Sequence, residues 1–134
     1  MTQLTLAQAE QLAKAAIVAA RAKSLNPMSV AVIDLSGNLK FALREDGAGL
    51  VGVDIALGKA RAALAFGCTS KQIAEALAGN PLAGPSVLAV LQGRVVLLGG
   101  GAPIPGPDGA IGAIAAAGDA PDNDEAIVLA ALEG

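Results

Sequence analysis

The amino-acid sequence predicts an α+β fold, in which an antiparallel sheet of about five strands carries helices on both faces. Two apolar segments, Ser29–Asp34 and Leu39–Arg44, flank the turn Leu35-Ser36-Gly37-Asn38 and so predict a β-hairpin. Segments with helical spacing precede and follow this hairpin, and the glycine- and proline-rich stretch 99–118 contains a second turn. Because strands joined by hairpins run antiparallel, the segments predict an antiparallel sheet.

Five segments have the apolar spacing of helices. Thr5-x-x-Gln8 and Thr69-x-x-Gln72 match the capping box, in which two side chains bond the free N–H groups of a helix start. Asp122-x-x-Glu125 indicates the cap of the last helix. The predicted helices cover residues 5–23, 51–66, 70–78, 82–91 (one or two turns) and 122 to about 132.

The stretch 99–118 predicts the remaining strands, with residues 95–98 as a further one. Its turn, Pro105-Gly106-Pro107-Asp108-Gly109, combines residues that preset or tolerate turn geometry. The segment after the turn, 111–116, is apolar on both faces, so we expect both faces to be covered. The order of helices and strands resembles a profilin-like or PAS-like architecture.

The composition predicts one domain, 1–134, with a core of small aliphatic side chains. Hydrophobic residues make up 54% of the chain but aromatic residues only 1%, and there is no His, Trp or Tyr. Alanine-rich helices of this kind leave small-residue surfaces, so we expect a homo-oligomer.

Charge and cysteine content exclude several classes of protein. The net charge is −3, with no run of Lys or Arg, so nucleic-acid binding is not expected. Cys68 is the single cysteine, which excludes an internal disulfide and fits a reducing compartment. The N-terminal segment lacks the basic start of a signal peptide, and no segment suits a membrane span, so we expect a cytoplasmic protein without a membrane partner.

Gly47-Ala48-Gly49-Leu50-Val51-Gly52 matches the dinucleotide fingerprint G-x-G-x-x-G, but its context does not. The preceding strand is the second arm of a hairpin, whereas the fingerprint requires a parallel strand–helix–strand unit. Free N–H groups at the helix start, near 51–54, could still hold a carboxylate or another anion.

Two further segments have both a structural and a functional interpretation. Gly99-Gly100-Gly101 is either a bulge at a strand edge or a set of N–H groups lining a pocket. The charged residues Arg44, Glu45, Asp46, Lys59 and Arg61 are either a solvated rim or a site for a carboxylate with a proton acceptor beside it.

The absence of histidine limits the available chemistry. A papain-like or Ser-His-Asp mechanism is excluded, and Cys68 is favoured as a buried thiol. The acidic residues near 119–125 suit the start of a helix better than a cation site, because they lack EF-hand spacing. We expect no bound metal.

Several motifs, in the same order along nearly the whole chain, resemble those of the GlcG/HbpS-like family. In this sequence they are PMSVAVID with GNL at 27–39, Arg44-x-Asp46-Gly47-Ala48, the helix 54–67, GGGAPI at 99–104, GAIGAI at 109–114, and Asp124-Glu125.

The resemblance implies PAS-like subunits that form dimers, tetramers or octamers. Some family members bind haem, and others accompany glycolate, diol or corrinoid metabolism. This chain departs from the haem-binding members because it has no His or Tyr, and Glu45 stands where the family commonly has methionine.

The sequence therefore predicts a cofactor-free enzyme acting on a small carboxylated metabolite by deamination, hydration, tautomerisation or hydrolysis. The catalytic candidates are Glu45, Asp46 and Lys59. Two alternatives stay open: an accessory protein that binds haem or a corrinoid, and a non-catalytic oligomeric subunit. The candidates for substrate binding are Arg44, Lys59, Gly100, Gly101 and Pro103.

Overall fold

A four-stranded antiparallel sheet forms the centre of the structure, a computed structural model that describes residues 3–134. The strands lie in the order β2-β1-β4-β3, so β1 pairs with both β2 and β4. This sheet confirms the predicted α+β class. The strands are β1 (Ser29–Asp34), β2 (Leu39–Arg44), β3 (Gly101–Gly106) and β4 (Gly109–Ala117).

The described residues contain one strand fewer than the predicted five, because residues 95–98 pair with no strand. Val95 is buried in a small cluster with Ala62 and Ile73. The backbone of Val96 comes so close to a helix that a Cβ on Gly58 would lie 3.0 Å from the Val96 nitrogen. This segment therefore packs on a helix instead of extending the sheet.

The five predicted helices are present within residues 3–134. Both threonine capping boxes form as predicted, with Thr5 and Thr69 each accepting the N–H three residues on. The helices are α1 (Leu6–Ala22), α2 (Gly52–Phe66), α3 (Ser70–Leu77), α4 (Ala83–Val90) and α5 (Pro121–Glu133).

The predicted cap of the last helix is wrong. Helix α5 begins at Pro121 and its N-cap is Ala120, whose side chain makes no capping hydrogen bond. The backbone N–H of Ala120 donates to Asp119 Oδ1 at 2.8 Å. Proline presets the helical φ and lacks the N–H that would need a hydrogen-bond partner, so a helix can start at proline without a capping side chain. Asp122 instead lies in the first turn and pairs with Lys71 at 3.2 Å.

Helices cover both faces of the sheet, as predicted. Helices α1 and α5 cover one face, which is built on Val30, Val32 and Ile114. Helix α2 covers the other face with alanine on both sides of the contact, so its backbone lies unusually close to the strands. The residues of this second contact are Ala31, Ile33, Ala56, Ala60, Ala63, Ala113, Ala115 and Ala117.

A buried ion pair joins α2 to α5 near the end of β4. The Lys59 ammonium donates to Asp124 Oδ2 at 2.9 Å and to the carbonyl of Ala116 at 3.1 Å. Lys59 and Asp124 are 2% and 1% exposed. Because burial removes the hydration of both charges, each depends on the other.

The glycines before β3 provide the space for Lys59. A Cβ on Gly100 would lie 2.9 Å from Lys59 Nζ, and a Cβ on Gly101 would overlap the Lys59 carbonyl oxygen. Gly100 also has a φ of +132°, which other residues rarely adopt. The glycine pair is thus explained by the close approach of α2.

Burial raises the pKa of the Asp124 carboxyl, because the loss of hydration outweighs its hydrogen bonds with the Lys59 ammonium and the Asp119 N–H. The folded protein therefore keeps a proton on Asp124 at a pH where the unfolded chain releases it. The contribution of this group to stability is present at low pH and is lost as the pH rises through the raised pKa.

We expect Lys59→Met to lower the free energy of unfolding by about 3–5 kcal/mol at pH 7, because it leaves a buried carboxylate without its cation. The loss should shrink as the pH falls, since Asp124 then takes up a proton. Urea unfolding at several pH values measures both effects. The matched control is Lys59→Met with Asp124→Asn, which removes the unpaired charge and should recover most of the loss; a single variant as stable as the wild type would contradict the prediction.

Candidate functional site

Three of the predicted site residues lie together at the end of β2. Arg44, Glu45 and Asp46 line an open cleft of about 420 Å³ together with Arg21 and Pro27. Arg44 and Asp46 are exposed, and Glu45 is half-buried. An exposed arginine next to an exposed carboxylate is suited to binding a small polar molecule.

Glu45 is already bonded within this cleft. Its Oε1 accepts the N–H of Met28 at 2.8 Å, and its Oε2 lies 3.2 Å from Arg21 Nε. The backbone N–H of Glu45 donates in turn to the carbonyl of Met28. Glu45 therefore fastens the end of β2 to the start of β1, and Asp46 is the freer carboxylate of the two.

The other predicted residues lie around the buried ion pair. Lys59 is bonded to Asp124 and Ala116. The N–H of Gly101 donates to Ser70 Oγ at 2.8 Å. Pro103 is half-buried in β3 opposite Ala113.

The structure thus divides the predicted site into two groups. Arg44, Glu45 and Asp46 form the first group, and Lys59 with the residues 100–103 forms the second. Within residues 3–134, no hydrogen bond or ion pair of these side chains joins the two groups.

A further groove lies elsewhere, between the C-terminal half of α2 and the end of α4. We call it the α2–α4 groove. It has a volume of about 520 Å³, within the range of about 300–1,000 Å³ of known ligand sites. The groove is lined by Leu35, Gly37, Arg61, Leu64, Ala65, Val90, Leu91, Gln92, Arg94 and Val95.

The α2–α4 groove combines apolar side chains with two cations. Neither Arg61 nor Arg94 forms an ion pair with a carboxylate in the part of the chain that is described. Beyond Ala65 the groove continues into a second apolar cleft of about 300 Å³, lined by Phe66 and Val87 among others. This arrangement suits a molecule with an apolar body and one or more carboxylates.

The end of α4 lines this groove through Val90, and none of the residues of the helix is buried. Leu82, just before it, is 74% exposed and Val90, at its end, is 79% exposed. The helix contains no charged residue. An apolar surface of this kind usually marks a binding site or an interface.

Sequence reasoning included Arg61 in the charged group but missed Arg94. Residues Gln92 and Gly93, with φ of 57° and 69°, turn the chain after α4 and place Arg94 next to α2. The available signal was an uncharged helical segment followed by Gln-Gly-Arg. This pattern predicts a turn and an isolated cation, but it does not predict that the cation lies next to α2.

The donors present do not suit conventional ligation of a haem iron. The chain has no His or Tyr. Met28 is fully buried, whereas Cys68, which was predicted to be buried, is half-buried beside Ile73 and Val95. No Cys or Met lines the α2–α4 groove. Met1, the other soft donor, lies outside the described residues.

No set of three His, Cys, Asp or Glu residues within 3–134 is placed to hold a metal ion.

Within the same range, no helix is both long enough and apolar enough to cross a membrane.

The chain is similar to known proteins over nearly its whole length. It is 33% identical over 132 residues to an uncharacterised 15.0 kDa protein from the dhaT–dhaS intergenic region of Citrobacter freundii, covering 97% of this chain and 90% of that one. A solved double mutant of Streptomyces reticuli HbpS is 32% identical, with a TM-score of 0.87 over 99% of this chain and 87% of that one.

A solved PduOC–haem complex is 27% identical, with a TM-score of 0.87 over 98% of this chain and 94% of the other. The model of the family described as haem degrading protein HbpS-like matches residues 4–133. The resemblance found in the motifs is thereby confirmed, and the chain belongs to the HbpS-like family.

Proposed function

We propose that this protein is an accessory protein that binds an amphipathic carboxylate of the tetrapyrrole class, such as haem, in the α2–α4 groove. The observation that carries the proposal is the pair Arg61 and Arg94, without carboxylate partners in the described chain, beside an apolar wall. Guanidinium groups bind carboxylates through charge-assisted hydrogen bonds, which suits two propionates.

The relatives support the choice of a tetrapyrrole. One of the similar structures is a complex of PduOC with haem, and the family itself is described as haem degrading. The groove supplies no conventional axial ligand, so binding here depends on the carboxylates and the apolar surface. Any chemistry of the iron would come from the bound group.

We expect Arg61→Gln and Arg94→Gln each to weaken hemin binding about tenfold, because each variant loses one charge-assisted hydrogen bond to a propionate. Titration followed by absorbance measures the dissociation constants. Arg44→Gln is the matched control, because Arg44 lies outside the groove and should leave the affinity unchanged.

Metal-free protoporphyrin IX serves as the second arm of this titration. It should bind within about threefold of hemin, because no groove side chain bonds the iron. Equal affinity of all the arginine variants, or no saturable binding of either compound, would refute the proposal.

We also infer that the protein forms a homo-oligomer through the apolar surface of α4. The absence of charge on α4 makes it complementary to the same helix of a second copy, and burial of Leu82 and Val90 would stabilise the contact.

Replacing Val90 by Asp should shift the protein toward a smaller particle, because a carboxylate cannot be buried without a partner. Light scattering after size exclusion measures the mass. Val18→Asp is the matched control, since Val18 is a similarly exposed valine (70% against 79%) on another helix, α1. An unchanged mass in Val90→Asp would place the interface elsewhere.

Catalysis on a small carboxylate is the second proposed function, and the exposed pair Arg44 and Asp46 in the open cleft favours it. Arg44 would hold the substrate carboxylate and Asp46 would move a proton. Glu45 would position the cleft through Arg21 and Met28. The reaction classes are those predicted from the sequence.

For this second function we expect Asp46→Asn to lower kcat about 10²–10⁴-fold, the usual contribution of a general acid or base. Unsaturated and amino-substituted dicarboxylates are the substrates to assay. Arg44→Gln should mainly raise KM, and Glu45→Gln should lower thermal stability along with activity. Full activity of Asp46→Asn on a confirmed substrate would exclude this role.

A further inference from the structure

A third polar group lies apart from the α2–α4 groove, beneath the start of α2. The Ser29 side chain is fully buried, and its Oγ has no hydrogen-bond partner among the described residues. A buried hydroxyl without a partner costs stability, so such groups usually serve a ligand or a water molecule.

Ser29 Oγ points at the first residue of α2. A Cβ on Gly52 would overlap this oxygen, so only glycine lets the helix start lie against it. Helix α2 is 15 residues long and no side chain bonds its N-cap, Val51. The N–H groups of Val53 and Asp54 have no acceptor in the described structure.

A cation completes the arrangement. Arg44 stands opposite Ser29 in the register of β1 and β2, and the alternation of the strands places both on the face that α2 covers. The Ser29 hydroxyl, the first turn of α2 with its two free amide N–H groups, and the strand position of Arg44 are therefore neighbours. Arg44 also borders the open cleft with Arg21 and Pro27.

We propose that Ser29, the N–H groups of Val53 and Asp54, and Arg44 form a binding site for a small oxyanion, either a carboxylate or a phosphate group. Helix starts bind such groups through their free N–H groups and the helix dipole. The exposed Asp54 carboxylate lies in the same turn and weakens the site for highly charged anions. The proposal depends neither on the α2–α4 groove nor on catalysis in the cleft.

The test follows the amide resonances of the ¹⁵N-labelled protein by NMR at constant ionic strength, first with inorganic phosphate and then with acetate. We expect saturable shifts at Val53 and Asp54, with the tighter of the two anions identifying the preferred group. The amides of Gln8 and Gln72 are internal controls, because Thr5 and Thr69 already bond them and they should not move.

Variants separate a binding site from a structural role. Ser29→Ala should weaken binding about tenfold, while the ligand-free Tm stays the same or rises, since no protein hydrogen bond is lost and an unpartnered buried hydroxyl is removed. Arg44→Gln should weaken binding to a similar degree, and Asp54→Asn should strengthen it several-fold by removing a like charge.

Saturable shifts that respond in these directions would support the site, and Arg94→Gln should leave them unchanged. The proposal is overturned if neither anion produces saturable shifts, or if Ser29→Ala binds as tightly as the wild type. A clear fall in the ligand-free Tm of Ser29→Ala would also overturn it, because the hydroxyl would then bond within the protein.

Discussion

The close approach of α2 to the sheet determines much of the rest of this structure. The contact consists of alanine and glycine, so the helix backbone lies where larger side chains would hold it away. Lys59 lies within this contact, and its ammonium bonds Asp124 and the carbonyl of Ala116 near the end of β4. One buried ion pair therefore fixes the relative positions of α2, β4 and α5.

This packing explains why the sequence predicted the elements well and the site less well. Capping boxes and the alternation of the hairpin are local signals, and they place α1, α3, β1 and β2. A lysine and a triple glycine suggested a ligand pocket. In the structure the glycines make room for the Lys59 side chain itself, and the sequence pattern is the same in both cases. Sequence shows which residue types are present, but the direction of the Lys59 side chain depends on Asp124, 65 residues away.

The other differences between the sequence-based predictions and the structure also arise from tertiary contacts. Residues 95–98 have the composition of a strand, but Gly58 lets their backbone pack on α2 instead. Arg94 enters the α2–α4 groove because two residues with positive φ turn the chain after α4. In the sequence Ser29 is an ordinary strand residue. Only the structure shows that its buried hydroxyl has no partner and lies against the start of α2. Each depends on a tertiary contact that local patterns do not encode.

The fold also separates the parts that maintain it from the parts that are free to bind. The alanine contact and the ion pair are fully buried, so changes there alter stability first. Helix α4 has no buried residue, and the cleft at the end of β2 contains the exposed Arg44 and Asp46, so both parts are free to bind. PduOC, which has a similar fold, is solved in complex with haem. In the proposed function, a chain without His or Tyr binds this class of molecule through arginines and apolar contacts.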